Sequence, residues 1–496
     1  MIKYLTTFND ETEYNEFLSS LDCPYINVSY ISQTGENKYY KESSALQLQP
    51  FTIHVDELPD GQTMTFSFRG PQRSITDETL WQTRTYIRYK KNNDDWKTIN
   101  YDLSFWRDLN FDEISMQEGD TVQIINKMNA IDDLFYNFYD NGGYGAKLTI
   151  SGNVMSLIGG DDYVYWPANK VPFPSEFNKD WTNVYEGVMY PRFNHWRDVF
   201  TDAGDLWLPT KNLCPNIFKE MFYDCHNLEV APDVNAKYLP YHACDNMFYG
   251  CSSLHEMPNV LAETVERGSM YRMFALCTTM NTVTDLHIKH IVGNNGDGAL
   301  GETFMGCYAI TSCPDWDASI DIVLPENCYY GEDHFSDGGG YAWLMSGMFM
   351  GCVSLQTCDW KITLESSWHN GDSSVWQYMF GGLWDDGLQI FRKCNALTTL
   401  PILEFKKLNW PDLPIKYPSA ICGENGSEKD QNLITSCTVL GVDTQITNDS
   451  TMYGFAPTGT FYLSSTSQYL PGGEYENDYP CGLGDWTKAV YVDPNA

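Results

Sequence analysis

The sequence predicts a mainly β protein: a β-sandwich near the N-terminus, then a repeat solenoid with short helical turns, then a capping C-terminal segment. Three observations carry this prediction. A ten-position phrase returns six times between residues 222 and 401. Before it, short alternating apolar and polar stretches sit between Gly and Asn turns. After it, a Pro-rich loop leads into further short strand-like stretches.

The phrase is Phe-x-x-Cys-x-x-Leu-x-x-apolar, usually closed by Pro. Its first copies are Phe222, Cys225, Leu228, Ala231, Pro232 and Phe248, Cys251, Leu254, Met257, Pro258. Then come Phe274, Cys277, Met280, Val283 and Phe304, Cys307, Ile310, Cys313, Pro314. The last are Phe349, Cys352, Leu355, Cys358 and Phe391, Cys394, Leu397, Leu400, Pro401. An imperfect copy at Phe200, Ala203 and Leu206 opens the series. Successive Phe residues lie 26, 26, 30, 45 and 42 positions apart. The phrase is constant while the connections grow, as in a solenoid whose insertions collect on one side. Phe and Cys three apart share one face of a helical turn. The Leu-x-x-apolar step before Pro suits a brief strand. One copy cannot bury its own Phe, Cys and Leu, so the copies are expected to stack, each residue type forming a buried column.

Three copies extend this pattern: Met221-Phe222-Tyr223-Asp224-Cys225-His226-Asn227-Leu228, Met247-Phe248-Tyr249-Gly250-Cys251-Ser252-Ser253-Leu254 and Met348-Phe349-Met350-Gly351-Cys352-Val353-Ser354-Leu355. They resemble the BspA-type leucine-rich repeat, over residues 191–405. That family occurs in surface proteins of Bacteroidales, mycoplasmas and protists, and in phages of Bacteroidales. The resemblance implies an irregular leucine-rich-repeat solenoid and a role in adhesion or display rather than a reaction. This chain departs from the family in its variable strand segments and its long inserts.

Other resemblances lie on either side. Phe8-Asn9-Asp10-Glu11-Thr12-Glu13-Tyr14 with Asn27-Val28-Ser29-Tyr30-Ile31 is similar to the openings of structural proteins of Bacteroidales phages, including crAss-like phages. In such proteins a leading arm, here residues 1–45, docks on a neighbour; an edge strand of the next domain is the alternative. Residues 46–160 resemble the immunoglobulin-like module that often precedes these repeats, with Gly152–Asp161 like its junction. Gly459-Thr460-Phe461-Tyr462 and Gly484-Asp485-Trp486-Thr487 resemble the family's usual terminus.

Composition sets limits. The chain carries 66 acidic against 31 basic residues, a formal net charge of −35. That charge argues against nucleic-acid partners, whose phosphates need basic patches. It favours solubility and loose association with divalent cations. No apolar run approaches the ~18 residues of a membrane span. Met1 to Phe8 gives way to Asn9-Asp10-Glu11 without an apolar h-region, so assembly in a host cytoplasm is expected rather than secretory export. Fourteen of the fifteen cysteines follow residue 210. Those in the repeat column read as small buried hydrophobes rather than disulfides or zinc ligands, since no C-x-x-C pair occurs.

Along the chain, strands are expected at Phe51–Val55, Met64–Phe68, Tyr86–Tyr89, Val122–Ile125 and Ala146–Ile150, with Asp60-Gly61 as the turn between the first two. Residues 161–190 read as a connector that caps the first repeat. Inserts at 286–302, 315–346 and 359–378 are rich in Gly, Asp and aromatics. Residues 406–496 are expected to close the exposed end of the stack, through strands at Val439-Leu440-Gly441 and Gly459–Leu463.

The common catalytic motifs are missing from the sequence. His255-Glu256 leads only to Met257-Pro258, and neither a G-x-S-x-G elbow nor a P-loop occurs. The acidic pairs Asp94-Asp95, Asp161-Asp162 and Asp385-Asp386 read as solvated turns, not as opposed carboxylates of a glycosidase. Asn294–Gly298 and Glu332–Asp337 are acidic loops that could hold calcium weakly, without EF-hand spacing. The aromatics Tyr329, Tyr330, Phe335, Tyr341, Trp343, Trp368, Trp376 and Trp384 crowd the inserts and form the candidate binding surface, with local packing as the competing reading.

The sequence thus predicts a non-enzymatic virion protein of a Bacteroidales phage: a capsid decoration, head fibre or tail-associated subunit. Its arm and sandwich would meet other virion proteins, and its repeats a host-surface glycan or further copies of the chain. The alternatives are a bacterial surface adhesin with the same repeat and, ranked lower, a polysaccharide-degrading tail enzyme.

Overall fold

Alternation of apolar and polar residues drives the first half of the chain into strands, and the repeated phrase drives the second half into a ladder. The structure is a computed structural model. It describes residues 29–31, 37–39, 46, 49–59, 62–69, 86–100, 110–127, 145–157, 197–210, 213, 215–292, 298–316, 345, 347–365, 390–406, 434–440, 455–463 and 485–492. These residues are mainly strands and turns, and helical structure among them is confined to short 3-10 turns such as Val154–Leu157. The chain divides into two units, Met1–Cys214 with Cys225–Lys237, and Pro215–Asp224 with Tyr238–Ala496.

In the first unit, β1 (Ser29–Ile31) pairs antiparallel with β2 (Asn37–Tyr39). Next come β3 (Phe51–Glu57), β4 (Met64–Arg69), β5 (Tyr86–Lys91), β6 (Lys97–Asn100), β7 (Asn110–Met116), β8 (Thr121–Lys127) and β9 (Lys147–Asn153). Two short strands, β10 (Phe200–Asp202) and β11 (Leu206–Trp207), follow. One sheet has the order β10-β9-β3-β8-β5-β6, with β11 also on β9. Its register puts Ile53 beside both Val122 and Ile150, so the buried residues of three strands form one apolar row. The strands on either side of Asp60-Gly61 form as expected but do not pair with each other. β3 lies between β8 and β9, while β4 pairs with β7. Phe51, Ile53 and Val55 are buried there in register with Ile124, Val122, Ile150 and Leu148.

β9 is where antiparallel pairing gives way to parallel. It runs antiparallel to β3 but parallel to β10 and β11. Those two strands carry the imperfect copy, whose Phe200, Ala203 and Leu206 are all buried. A parallel bridge then joins Asp202 to Val230. Gly152 makes the junction possible: its φ is +80°, and a Cβ there would lie 2.1 Å from the Pro50 carbonyl oxygen.

In the second unit the Phe-x-x-Cys segment was expected to be a helical turn. The structure instead runs it through consecutive four-residue turns. Around Phe248, alternate amides close i to i−3 bonds: Met247 to Cys244, Tyr249 to Asn246 and Cys251 to Phe248, at 3.1, 3.2 and 3.2 Å. The amides between them donate to the next copy: Asn246 to Tyr271, Phe248 to Met273 and Gly250 to Ala275, at 2.9, 2.9 and 2.8 Å. A helix would use every amide internally, leaving none for the neighbour. Each turn ending at Cys needs a positive φ at its third residue, filled by Gly250, Gly306 and Gly351 in three copies and by Asp224, Leu276 and Lys393 in others.

Stacking follows from this ladder. Phe222, Phe248, Phe274, Phe304, Phe349 and Phe391 form one column with ring centroids 5.5, 5.5, 5.7, 5.2 and 5.7 Å apart. Met221, Met247, Met273 and Met348 form a second buried row beside it. Beyond each Leu the strand shrinks to single parallel bridges, such as Glu256 to Thr282. Further parallel ladders join β12 (Tyr238–Leu239), β13 (Thr264–Glu266) and β14 (His290–Val292). A five-stranded parallel sheet comprises β15 (Lys361–Glu365), β16 (Ile402–Lys406), β17 (Ile434–Leu440), β18 (Phe455–Leu463) and β19 (Asp485–Val490). The segment expected to close the stack therefore adds three strands to its sheet.

Two stability outcomes follow. Phe274→Ala empties the middle of the ring column and should cost ~3–5 kcal/mol in urea unfolding followed by circular dichroism. Gly152→Ala should cost more than the ~1–3 kcal/mol of left-handed strain alone, because its Cβ would meet backbone rather than a movable side chain. A thermal melt of that variant within a degree of the parent would contradict the junction described here.

Candidate recognition surface

Because the same position recurs in every copy, outward side chains also fall into rows. On the turn side, those rows are filled by polar groups that clasp their neighbours. The Asp245 carboxylate, only 4% exposed, meets Lys219 Nζ at 2.8 Å and His242 Nδ1 at 2.8 Å. Asn246 Nδ2 donates to its other oxygen at 2.7 Å. The His242 ring lies over Gly268, where a Cβ would come within 2.4 Å of it. Arg272 Nε meets Glu302 Oε2 at 2.6 Å, and the Tyr223 and Tyr249 rings stack 5.0 Å apart. The Tyr238 hydroxyl donates to Glu266, whose second oxygen accepts the Tyr241 amide at 2.8 Å. Burial and that carboxylate push the Tyr238 phenol up to about 12. Lys219–Asp245, Arg272–Glu302, Tyr223–Tyr249 and Tyr238–Glu266 fasten adjacent copies, while His242 and Asn246 brace Asp245 within its own copy.

The strand side differs. In the second unit, just after each buried Leu-type residue, two consecutive residues face outward: His255-Glu256, Asn281-Thr282, Thr311-Ser312, Gln356-Thr357, Thr398-Thr399 and Thr435-Ser436. Parallel bridges join Glu256 to Thr282, Ser312 to Thr357 and Thr399 to Ser436. The bridge from Leu286 to Trp316 and the pairing of β15 with β16 link those pairs into one series. All these residues are exposed except Ser436, which is half-buried. From Asn281 onward the strip carries hydroxyls and amides but no charge.

Between these faces lies the thiol column. Cys251, Cys277, Cys307, Cys352 and Cys394 donate through Sγ to the carbonyls of Phe222, Phe248, Phe274, Phe304 and Phe349, at 3.2, 3.2, 3.1, 3.0 and 3.1 Å. Each thiol thus reaches the Phe one copy earlier. Burial raises the thiols of Cys277 and Cys307 well above the ordinary range and pushes Cys352 up to about 12. Protonated thiols are neither nucleophiles nor metal ligands.

The repeat-core residues named from sequence are buried together: Cys225 and Leu228 in the first unit, and the Phe residues with Cys251, Leu254, Cys277, Cys307, Cys352, Leu355, Cys394 and Leu397 in the second. His226 is exposed beside the buried Cys225. Cys313 and Cys358 occupy neighbouring positions, next to the Ser312 to Thr357 bridge. The aromatics Tyr329, Tyr330, Phe335, Tyr341, Trp343, Trp368, Trp376 and Trp384 lie outside the described residues. So do Asp161-Asp162, Asp385-Asp386, Asn294–Asp297 and Glu332–Asp337. Asp94 and Asp95 form an exposed turn between β5 and β6. Among the described residues no group of three or more His, Cys, Asp or Glu side chains is placed to hold a metal ion, and the ten described cysteines are free thiols. The outward strip escaped sequence reading; its signal was the pair of uncharged polar residues after each Leu-type position from Met280 onward.

No protein-family model, curated protein or solved structure matches this chain.

Thiol chemistry tests the column. Iodoacetamide at pH 8 should leave Cys277, Cys307 and Cys352 unmodified in the folded protein and label them fully in urea, read by peptide mass spectrometry. Their folded pKa values exceed the unfolded value of 9.0, so the stabilisation they supply holds below pH 9 and is lost as pH rises through the folded values. Native labelling at pH 8 would show that the column opens.

Proposed function

We propose that this chain is a non-enzymatic virion protein of a Bacteroidales phage, a capsid decoration, head fibre or tail-associated subunit. In this reading residues 191–405 are a BspA-like leucine-rich-repeat solenoid, and the preceding strands an immunoglobulin-like sandwich behind an N-terminal arm. Arm and sandwich attach the protein to the particle, and the solenoid projects for host-surface or inter-subunit binding. One observation carries the reading. The residue types that define the repeat are spent on packing one copy against the next, which leaves the outward rows for recognition. The resemblance of the opening residues to phage structural proteins supports the particle, and the acidic surface suits an assembly component that must avoid packaged nucleic acid.

The same repeat resemblance supports a bacterial surface adhesin as the second reading. Peptide mass spectrometry of density-purified phage particles distinguishes the two. The virion reading expects this chain at constant stoichiometry to the major capsid protein. Its absence from particles, with surface labelling on intact uninfected cells, establishes the adhesin instead.

A further inference from the structure

We propose that the uncharged strip from Asn281-Thr282 to Thr435-Ser436 is a binding face for an extended, neutral polysaccharide. The inference deepens the display reading above, since it names the ligand class and the side of the repeat stack that takes it.

Five successive rungs present Asn281-Thr282, Thr311-Ser312, Gln356-Thr357, Thr398-Thr399 and Thr435-Ser436 on the same side of a parallel ladder. Backbone bonds fix the rungs: Gln356 and Thr357 amides both approach the Thr311 carbonyl, at 2.8 and 3.4 Å, and those of Thr435 and Ser436 approach Thr398, at 2.8 and 3.2 Å. Paired strands repeat at about 4.8 Å. The result is a row of hydroxyl and amide groups carried on paired backbone, so little backbone freedom is lost on binding. A linear glycan offers the complement, hydroxyls and ring oxygens repeating along an extended chain.

Chemistry then selects among partners. A protein interface is anchored by Trp, Tyr, Arg or Met, and none of these occupies the ten strip positions. Polyanions are opposed by the net charge of −35 and by exposed Asp285 and Asp315 further along the same rungs. A neutral polymer meets neither obstacle.

Stacking does not force the strip to be neutral. Like charges opposed in adjacent strands repel, which could by itself select hydroxyls. Yet Asp285 and Asp315 are register neighbours, one residue before the bridged pair Leu286 and Trp316, and both are exposed. The ladder therefore tolerates an acidic pair a few residues away, and the missing charge in the strip needs a different cause.

Affinity electrophoresis of the full chain in native gels containing dextran, mannan, glucomannan or polygalacturonate tests the proposal. At least one neutral polymer should retard the protein, and polygalacturonate should not. Ser312→Glu combined with Thr399→Glu places charges two rungs apart and should weaken that retardation by about tenfold or more, since a buried unpaired charge opposes binding. Ser312→Thr with Thr399→Ser keeps the hydroxyls and should preserve it, as should Val353→Glu, which adds a charge off the strip at an exposed position. Circular dichroism confirms that each variant folds. The proposal is overturned if no neutral polymer retards the parent chain, if the double Glu variant binds undiminished, or if polygalacturonate retards the chain. A concentration-dependent dimer in sedimentation, lost in the double Glu variant, would assign the face to self-association and overturn it too. Particle mass spectrometry tests the virion reading independently: presence in particles without glycan binding removes only this inference, and the reverse result removes only the virion location.

Discussion

The repeat turns of the second unit depend on how their alternate backbone amides are satisfied, and the Phe position shows it. The oxygen of Phe274 accepts the Cys277 amide of its own copy at 3.2 Å and the Cys307 thiol of the next at 3.1 Å. The Phe274 amide donates onward to Thr303 at 2.9 Å. A buried carbonyl left with one lone pair idle is tolerable, but a buried amide without an acceptor is not. One copy in isolation would strand its alternate amides, so the copies are stable only in series. This is a stronger reason for repetition than the need to bury rings, because it acts through the backbone of every copy whatever its side chains.

The same arrangement explains why Cys recurs where Ala or Val would fill the space as well. The position is too enclosed for water, and it faces an oxygen. A thiol is small, apolar enough for the interior and still a weak donor. Serine would donate more strongly but would meet a larger desolvation cost on burial.

Much of this was legible beforehand. The phrase fixed which residues are buried together, and the strands expected at Phe51–Val55, Met64–Phe68, Tyr86–Tyr89, Val122–Ile125 and Ala146–Ile150 followed from alternation and form with ends shifted by a few residues at most. The local conformation at Phe-x-x-Cys did not, because a spacing of three is shared by a helix and by a chain of i to i−3 turns. Gly250, Gly306 and Gly351 before the Cys were the available clue, since a helix has no use for a positive φ there. The pairing of β3 was hidden because a turn sequence reports that the chain reverses, not which strand receives it. The recognition strip was hidden for a third reason. Thr and Ser after a Leu look like ordinary strand surface until the register aligns them in one row.

That alignment also decides what the repeat can vary. Between Phe274 and Phe304 the chain has 30 residues, and between Phe304 and Phe349 it has 45, yet the ring spacings are 5.7 and 5.2 Å. Insert length is uncoupled from column spacing, because each copy is registered by its own amides rather than by its connection. Loop closure costs little for added residues, growing only with the logarithm of length. An insert can therefore change in size or sequence while the ladder and its outward strip hold their geometry. A scaffold with those properties keeps its ladder constant while its connections diversify, which is what the display role proposed above requires.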